Sequence, residues 1–223
     1  SPIPWLLAAL SFMVGAPFLF VSAAGPLLQR WFSATSHSSA KDPYFLYAAS
    51  NAGSMLGLLG YPFLVEPWLT LTEQRRAWSI AFGLFAILVA CCAVALKRNP
   101  TPEPSITSNQ SAPVQSLTWK QRALWLLLAF IPSSLTLGVT QHISTDIAAV
   151  PLLWVLPLSI YLLTFIIAFS KHTIPALFIS RVLPILVLCL AVIALLNSRE
   201  PIAVITAFHL LGLFACALLC HTR

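Results

Sequence analysis

The side chains best suited to chemistry lie in one short stretch, LGVTQHISTDIAAVPLLWVLP. It holds His142 and Asp146 four residues apart, followed by Trp154 between two prolines. A carboxylate beside an aromatic face suits an ammonium or polyamine, through charge attraction and cation–π contact. The same residues allow a structural interpretation, in which Asp146 caps the next helix and His142 is a wet interfacial residue. The stretch therefore has two interpretations: helix capping, which the residue types alone favour, and a candidate site for a cationic solute.

Two further polar side chains fall inside long apolar runs. Asn51 either hydrogen-bonds a neighbouring helix or lines a polar cavity. His209 is the most deeply placed ionisable group, and it either bonds a neighbouring helix or belongs to a proton path. These two residues complete the candidate substrate-binding set, which is Asp146, His142, Trp154, Asn51 and His209.

Patterns typical of catalysis, cofactor binding and metal binding are missing from the sequence. There is no HExxH motif, and the eight glycines are scattered without a Gly-Gly pair that could begin a nucleotide-binding turn. Cys216, Cys220 and His221 share a helix end at a spacing that could suggest a metal, but packing of small cysteines is the preferred interpretation. We therefore expect no catalytic residue, no cofactor and no metal in this chain.

The composition indicates what surrounds these residues. Of 223 residues, 59% are hydrophobic and only 8% are charged, with a mean hydropathy of +0.89. A soluble domain is about one quarter charged, because its surface must be solvated. The chain is therefore predicted to be an integral membrane protein. Its net charge of +6 needs no nucleic-acid partner, since anionic lipid headgroups attract basic residues at a membrane.

Seven apolar segments approach or exceed the roughly 20 residues that a helix needs to cross about 30 Å of hydrocarbon. They are Trp5–Trp31, Pro43–Glu66, Ala77–Leu96, Leu124–Ile143, Ile147–Phe169, Ile174–Leu196 and Pro201–Leu219. Short alternating segments typical of a transmembrane barrel are missing, and helices satisfy their own backbone in lipid. The predicted fold is all-α: a polytopic transmembrane helical bundle of about seven spans.

One polar segment divides the chain. Residues 98–118 are rich in Pro and Ser and are predicted to form a disordered cytoplasmic linker. Residues 1–97 would then hold three transmembrane helices and residues 119–223 four. Within the second span, Ala49, Gly53 and Gly57 give one face of small residues, which predicts close helix packing.

Basic residues predict the orientation, because cytoplasmic loops carry an excess of Lys and Arg. One side collects eight of them: Arg30, Lys41, Lys97, Arg98, Lys120, Arg122, Lys171 and Arg223. The other side collects Arg75, Arg76 and Arg199, while Arg181 lies inside a span. The N-terminus is therefore predicted outside and the C-terminus in the cytoplasm.

Two long runs carry a family resemblance: DPYFLYAASNAGSMLGLLGYPFLVEP and LAFIPSSLTLGVTQHISTDIAAVPLLWVLPLSIYLLTFIIAF. In these runs the chain resembles the membrane portion, major-facilitator-like, of bacterial proteins fused to a spermidine synthase-like domain. The resemblance implies a piece of a larger bundle in the bacterial inner membrane, with the end of one half-bundle before the linker and the start of another after it. It also implies partners outside this chain, namely further helices and a soluble aminopropyltransferase-like domain.

Together these observations predict a membrane domain that anchors a polyamine-related enzyme and conducts a polyamine or another small cationic solute. None of the catalytic residues implied by the resemblance falls in this chain, so any aminopropyl transfer would belong to the missing domain. The alternative is a structural domain that transports nothing and only positions the soluble enzyme.

Overall fold

The computed structural model describes residues 2–98, 118–147, 152–170, 175–196 and 200–223. The described residues are 87% helical and include no strand, which confirms the all-α prediction. Most of the predicted linker, residues 99–117, lies outside the described residues. The division into half-bundles on either side of it stays a prediction.

The described residues form seven helices. The first three are α1, residues 2–33; α2, residues 45–68; and α3, Leu71–Arg98. The fourth, α4, is Trp119–Gln141 and continues through a π-helical turn, His142–Ile147. The last three are α5, Val155–Ala168; α6, Ala176–Leu195; and α7, Ile202–His221. All except α2 and α5 are long and apolar enough to cross a membrane, so the chain is an integral membrane protein.

Two helices begin several residues earlier than predicted, each at a capping box. Before α3, the backbone N–H of Thr70 donates to Glu73 Oε2 at 2.8 Å, and the Thr70 hydroxyl donates to the same oxygen at 2.7 Å. Before α4, the backbone N–H of Gln121 donates to Thr118 Oγ1, and Gln121 Oε1 accepts from the Thr118 backbone. These reciprocal bonds satisfy backbone donors at a helix start, so the helices extend beyond their apolar runs.

The fifth helix is shorter than its predicted span, Ile147–Phe169. It begins at Val155 and has 14 residues, about 21 Å at 1.5 Å per residue. Leu152 has a φ of 71°, a left-handed conformation that a leucine rarely adopts and that does not continue a right-handed helix. The prediction that Asp146 caps this helix is wrong, because the cap position is Trp154.

The chain forms two compact units. One contains Ser1–Leu46 and Leu69–Asn109, so that it holds α1 and α3. In this unit Phe20 of α1 packs edge-on against Phe82 and Phe85 of α3, with ring centroids 5.9 and 5.8 Å apart. Aromatic edge-to-face pairs therefore join its two long helices.

The other unit contains Tyr47–Trp68 and Gln110–Arg223, and α7 is its central helix. Helix α7 packs against α4, α5 and α6. One third of its apolar window is buried, whereas no other membrane-spanning window exceeds 11%. The described core of this unit therefore forms around the last helix of the chain.

The two glycines of the predicted small-residue face have no close neighbour among the described residues. At Gly53 and Gly57 of α2, no atom of a described neighbour lies within 4 Å of where a β-carbon would stand. At Gly212 of α7 such a carbon would lie 2.7 Å from Leu190 Cδ1 of α6. Among the eight glycines, Gly212 is therefore the one at which a side chain of a neighbouring helix fills the space that a β-carbon would take.

Candidate functional site

His142 and His209, two of the predicted site residues, lie in direct contact. Their ring centroids are 4.6 Å apart and the ring planes are inclined by 39°. His142 begins the π-helical turn at the end of α4, and His209 lies on α7. Both side chains are half-buried. The fold therefore joins two imidazoles that the sequence places far apart.

The π-helical turn sets the position of His142. The backbone N–H of His142 donates to the carbonyls of both Gly138 and Val139. Three residues later, the Thr145 hydroxyl donates to the carbonyl of Gln141 at 2.6 Å. Such a local side-chain bond competes with regular helical bonding, and π-turns inside helices often mark functional sites.

The contact with His209 changes the expected environment of His142. His209 lies seven residues after Ile202, about 10 Å along α7 from its first residue at 1.5 Å per residue. Its partner ring must lie at a similar depth, because the two rings are in contact. Both imidazoles therefore lie at the level of the second turn of α7, and the placement of His142 at the membrane interface stays a prediction.

An apolar cluster on α4 and α7 includes the sequence neighbours Ile143 and Leu210 of the two histidines. Val139, Ile143 and Leu213 are buried and pack together on α4 and α7, with Ile143 completely inaccessible. The partly buried residues around them are Leu135, Leu153, Ile160 and Leu210. This cluster packs α4 against α7 next to the histidine pair in the sequence.

A hydrogen bond determines which nitrogen of His209 carries the proton in the neutral ring. His209 Nδ1 lies 2.8 Å from the carbonyl oxygen of Ile205, one turn earlier on α7. A carbonyl can only accept, so Nδ1 donates and Nε2 keeps its lone pair. Nε2 is therefore the atom through which His209 can bind a donor or a cation.

Ser144 adds an unsatisfied polar atom to the same turn. Its hydroxyl is buried, and it has no hydrogen-bond partner among the described residues. Residues two positions apart on a helix do not face each other, so Ser144 and His142 point to different sides of the turn. We therefore do not include Ser144 in the histidine site.

Trp154 and Asn51, two of the other predicted site residues, make no described contact with this pair. The side chain of Asp146 lies outside the described residues, although its backbone continues the π-helical turn. Trp154 is 45% exposed at the start of α5. The Asn51 amide donates to the carbonyl of Tyr47 at 2.8 Å, within its own helix. This bond within the helix is neither the hydrogen bond to a neighbouring helix nor the cavity lining that the sequence suggested for Asn51.

A second polar cluster, which the sequence did not predict, joins α7 to α5. His221 Nδ1 lies 3.0 Å from Thr164 Oγ1, and the Thr164 hydroxyl itself donates to the Tyr161 carbonyl at 2.6 Å. Because that hydroxyl proton is already used, His221 Nδ1 must be the donor. The His221 ring also stacks on Phe165 with centroids 3.8 Å apart.

This cluster extends to α4. The hydroxyls of Tyr161 and Ser133 lie 3.3 Å apart, and the Tyr161 ring meets His221 edge-on at 5.4 Å. Thr164 is completely inaccessible. The sequence did contain one signal for this cluster, a threonine in the middle of an apolar span. A buried hydroxyl in a membrane needs a hydrogen-bond partner.

The cysteines near His221 do not complete a metal site in the described part of the chain. Cys216 and Cys220 are half-buried thiols on α7. No three His, Cys, Asp or Glu side chains converge within the residues that the structure describes. The geometry here is that of a hydrogen-bonded, aromatic helix contact.

The chain was compared with protein-family models, with curated proteins and with solved structures, and none of these comparisons gives a match.

Proposed function

We propose that this chain is the membrane domain of a spermidine synthase-like fusion protein and a conduit for a polyamine or another small cationic solute. The contact of His142 with His209 carries the conduit part of this proposal. His209 presents the lone pair of Nε2, which accepts a hydrogen bond from an ammonium group. The family resemblance of the two long runs supplies the class of solute.

The anchoring part rests on the apolar helix surfaces. Five helices are long and apolar enough to span a bilayer, and most of each window is not covered by the rest of the chain. Large apolar side chains such as Phe12, Leu126 and Leu195 are between 73% and 85% exposed. Lipid tails are the partner that suits such surfaces, together with the neighbouring helices and soluble domain implied by the resemblance.

The proposed location is the bacterial inner membrane, with the N-terminus outside and the C-terminus in the cytoplasm. The eight-to-three distribution of basic residues supports this orientation. In it α7 begins at the outer side, so the histidine pair lies about 10 Å below the outer end of that helix. A solute arriving from outside would reach this pair early on its path.

Flux of labelled spermidine into proteoliposomes tests the conduit. We expect uptake by the wild type and a loss of about tenfold for His209→Ala, since one hydrogen bond to a charged group contributes about 1.5 kcal/mol. His37→Ala is the matched control, because His37 lies in the other unit and contacts Phe32 locally. Asp146→Asn in the full-length protein tests the predicted carboxylate.

The conduit proposal would be contradicted if correctly folded wild type took up no spermidine, or if the wild type and the His209 variant took up equal amounts. Reconstitution of the full-length protein gives the same comparison with all implied partners present. The anchor would survive either result, because it depends on the exposed apolar surfaces rather than on the histidines.

A second candidate is a structural domain that transports nothing. The dense packing beside the histidines favours it: Ile143 and Leu213 are at most 1% exposed, and α6 approaches α7 at Gly212. This function predicts that a full-length protein without these helices keeps the turnover of its soluble domain. Turnover that falls with the helices removed would argue for a functional link instead.

A further inference from the structure

We propose that α3 carries a binding site for an anionic phospholipid, with one acyl chain in an apolar groove and the phosphate on Arg98. The groove has a volume of about 530 Å³ and follows one face of α3 to its last residue. It is lined by Ile87, Ala90, Cys91, Val94, Ala95 and Arg98. This inference goes beyond the proposed conduit and does not depend on it, because the groove belongs to the unit that holds α1 and α3.

The first argument is the length of the groove. Arg98 lies eleven residues after Ile87, which is about 16 Å along the helix at 1.5 Å per residue. The hydrocarbon of a bilayer is about 30 Å thick, so one leaflet contributes about 15 Å. The groove is therefore as long as the hydrocarbon of one leaflet, and Arg98 lies at the end where the headgroup of a bound lipid begins.

The second argument is the side of α3 on which the groove lies. Phe82 and Phe85 face α1, where both rings pack against Phe20. Because an α-helix has 3.6 residues per turn, the groove residues lie on the opposite side of α3. All six of them are exposed. Within the described residues, this face of α3 is therefore open to the surrounding membrane.

The third argument is the charge at the end of the groove. Arg98 carries a planar fork of N–H donors that suits the oxygens of a phosphate, and Lys97 adds a second positive charge beside it. Helix α3 has no acidic residue after Glu73 that could neutralise them. The two full charges also exceed the partial negative charge, about one half, at the C-terminal end of a helix. An anionic headgroup therefore complements this end better than a zwitterionic one.

These features together favour a lipid over a second helix as the occupant. A helix packed on this face would use the small side chains of Ala90, Cys91 and Ala95, but it would leave the charge of Arg98 without a function. An anionic phospholipid uses both parts of the site. Its acyl chain fills the apolar groove, and its phosphate pairs with the guanidinium at the membrane surface.

Alkylation of two neighbouring thiols in the purified protein tests the site. Cys91 lines the groove, whereas Cys92 is also exposed but does not line it. A bound acyl chain should slow alkylation of Cys91 by N-ethylmaleimide and leave Cys92 unchanged. In detergent micelles, we expect added phosphatidylglycerol to lower the ratio of the Cys91 rate to the Cys92 rate several-fold, and the same amount of phosphatidylcholine to have little effect. Tandem mass spectrometry distinguishes the two labelled residues.

Arg98→Gln tests the contact with the headgroup. We expect this variant to need about tenfold more phosphatidylglycerol for half-protection of Cys91, because a hydrogen bond to a charged group is lost. Arg30→Gln is the matched control, since Arg30 is the basic residue in the last turn of α1 in the same unit and does not line the groove. Its half-protection concentration should equal that of the wild type. Equal shifts for the two variants would overturn the proposal, because general charge attraction would then explain the binding.

Measurements on the wild type alone distinguish the other possible occupants of the groove. Equal protection of Cys91 by phosphatidylcholine, or protection by inorganic phosphate without lipid, would overturn the proposal. Protection of Cys91 in the delipidated protein would also overturn it, because a helix of a second copy or of a longer chain would then cover the groove. None of these measurements involves spermidine flux, so a failed lipid site and a failed conduit are distinguishable.

Discussion

Thr164 is the most completely buried polar side chain among the described residues, and its surroundings explain why it is tolerated. Its hydroxyl donates to the Tyr161 carbonyl and accepts from His221 Nδ1. A buried hydroxyl without partners costs several kcal/mol in an apolar medium, on the order of 2–7 by transfer measurements. Both functions of this hydroxyl are satisfied, so the contact joins α5 to α7 without that penalty.

We predict that Thr164→Val destabilises the protein by about 1–3 kcal/mol, because it leaves a half-buried His221 N–H without its acceptor. Thr136→Val is the matched control, since Thr136 is also buried but bonds only to Pro132 of its own helix, at 2.7 Å. Reversible unfolding in mixed detergent micelles gives the two free energies. Equal losses for the two variants would show that the contact between helices contributes nothing.

A double variant completes this test. Replacing both partners, as in Thr164→Val with His221→Phe, removes the unpaired donor and keeps an aromatic ring on Phe165. We therefore expect the double variant to be more stable than Thr164→Val alone.

At the level of single residues, the sequence pointed to both histidines of the pair but did not predict that they are in contact. His142 and His209 were both identified, because an ionisable residue in an apolar run is conspicuous. Their contact was not, since it depends on how α4 packs against α7. His221 was considered only with the nearby cysteines of its own helix, so its partner Thr164 was missed.

Among the helices, α7 is the one on which the described core depends. It contacts three neighbours, and at Gly212 the side chain of Leu190 lies against the space where a β-carbon would stand. In a membrane, van der Waals packing between helices replaces much of the hydrophobic drive available in water. A side chain at Gly212 should therefore separate α7 from α6.

We predict that Gly212→Ile costs about 1–3 kcal/mol of unfolding free energy through overpacking against Leu190. Gly57→Ile is the matched control and should be nearly neutral within this chain, because no described neighbour lies within 4 Å of its β-carbon position. Adding Leu190→Ala creates space, so the double variant should cost less than the sum of the single ones by more than about 0.5 kcal/mol. Strict additivity would contradict the proposed contact.

Helix existence was predictable, whereas several helix limits were not. Hydrophobic runs located all seven helices of the described residues, because a helix in lipid pairs its own backbone polar groups and needs only apolar side chains outside. The earlier starts of α3 and α4 come from Thr70 with Glu73 and Thr118 with Gln121, which are capping boxes that the sequence does contain. The late start of α5 depends on the unusual backbone of Leu152, for which no sequence signal was identified.

For the whole molecule, composition alone sufficed to predict the class. A chain with 8% charged residues cannot solvate the surface of a soluble domain of this size, and the exposed apolar helix faces agree with that inference. Composition does not determine the solute, the partners or the orientation, because these depend on other molecules and on the membrane around the chain.

We predict that a reporter fused after Pro104 lies in the cytoplasm, since Lys97, Arg98, Lys120 and Arg122 flank that segment. Alkaline phosphatase fused there should be inactive, and green fluorescent protein should be fluorescent. A fusion after Trp68, on the opposite side in the predicted topology, should give the reverse pattern. Active phosphatase after Pro104 would invert the proposed orientation.

The measurement that most directly tests the central claim, an apolar helical bundle embedded in lipid, is size-exclusion chromatography of the purified chain with and without detergent. Exposed apolar helix faces must be covered by lipid or detergent, so we expect one symmetrical peak in detergent and aggregation once the detergent is removed. A helical, monodisperse protein in plain buffer would contradict the claim.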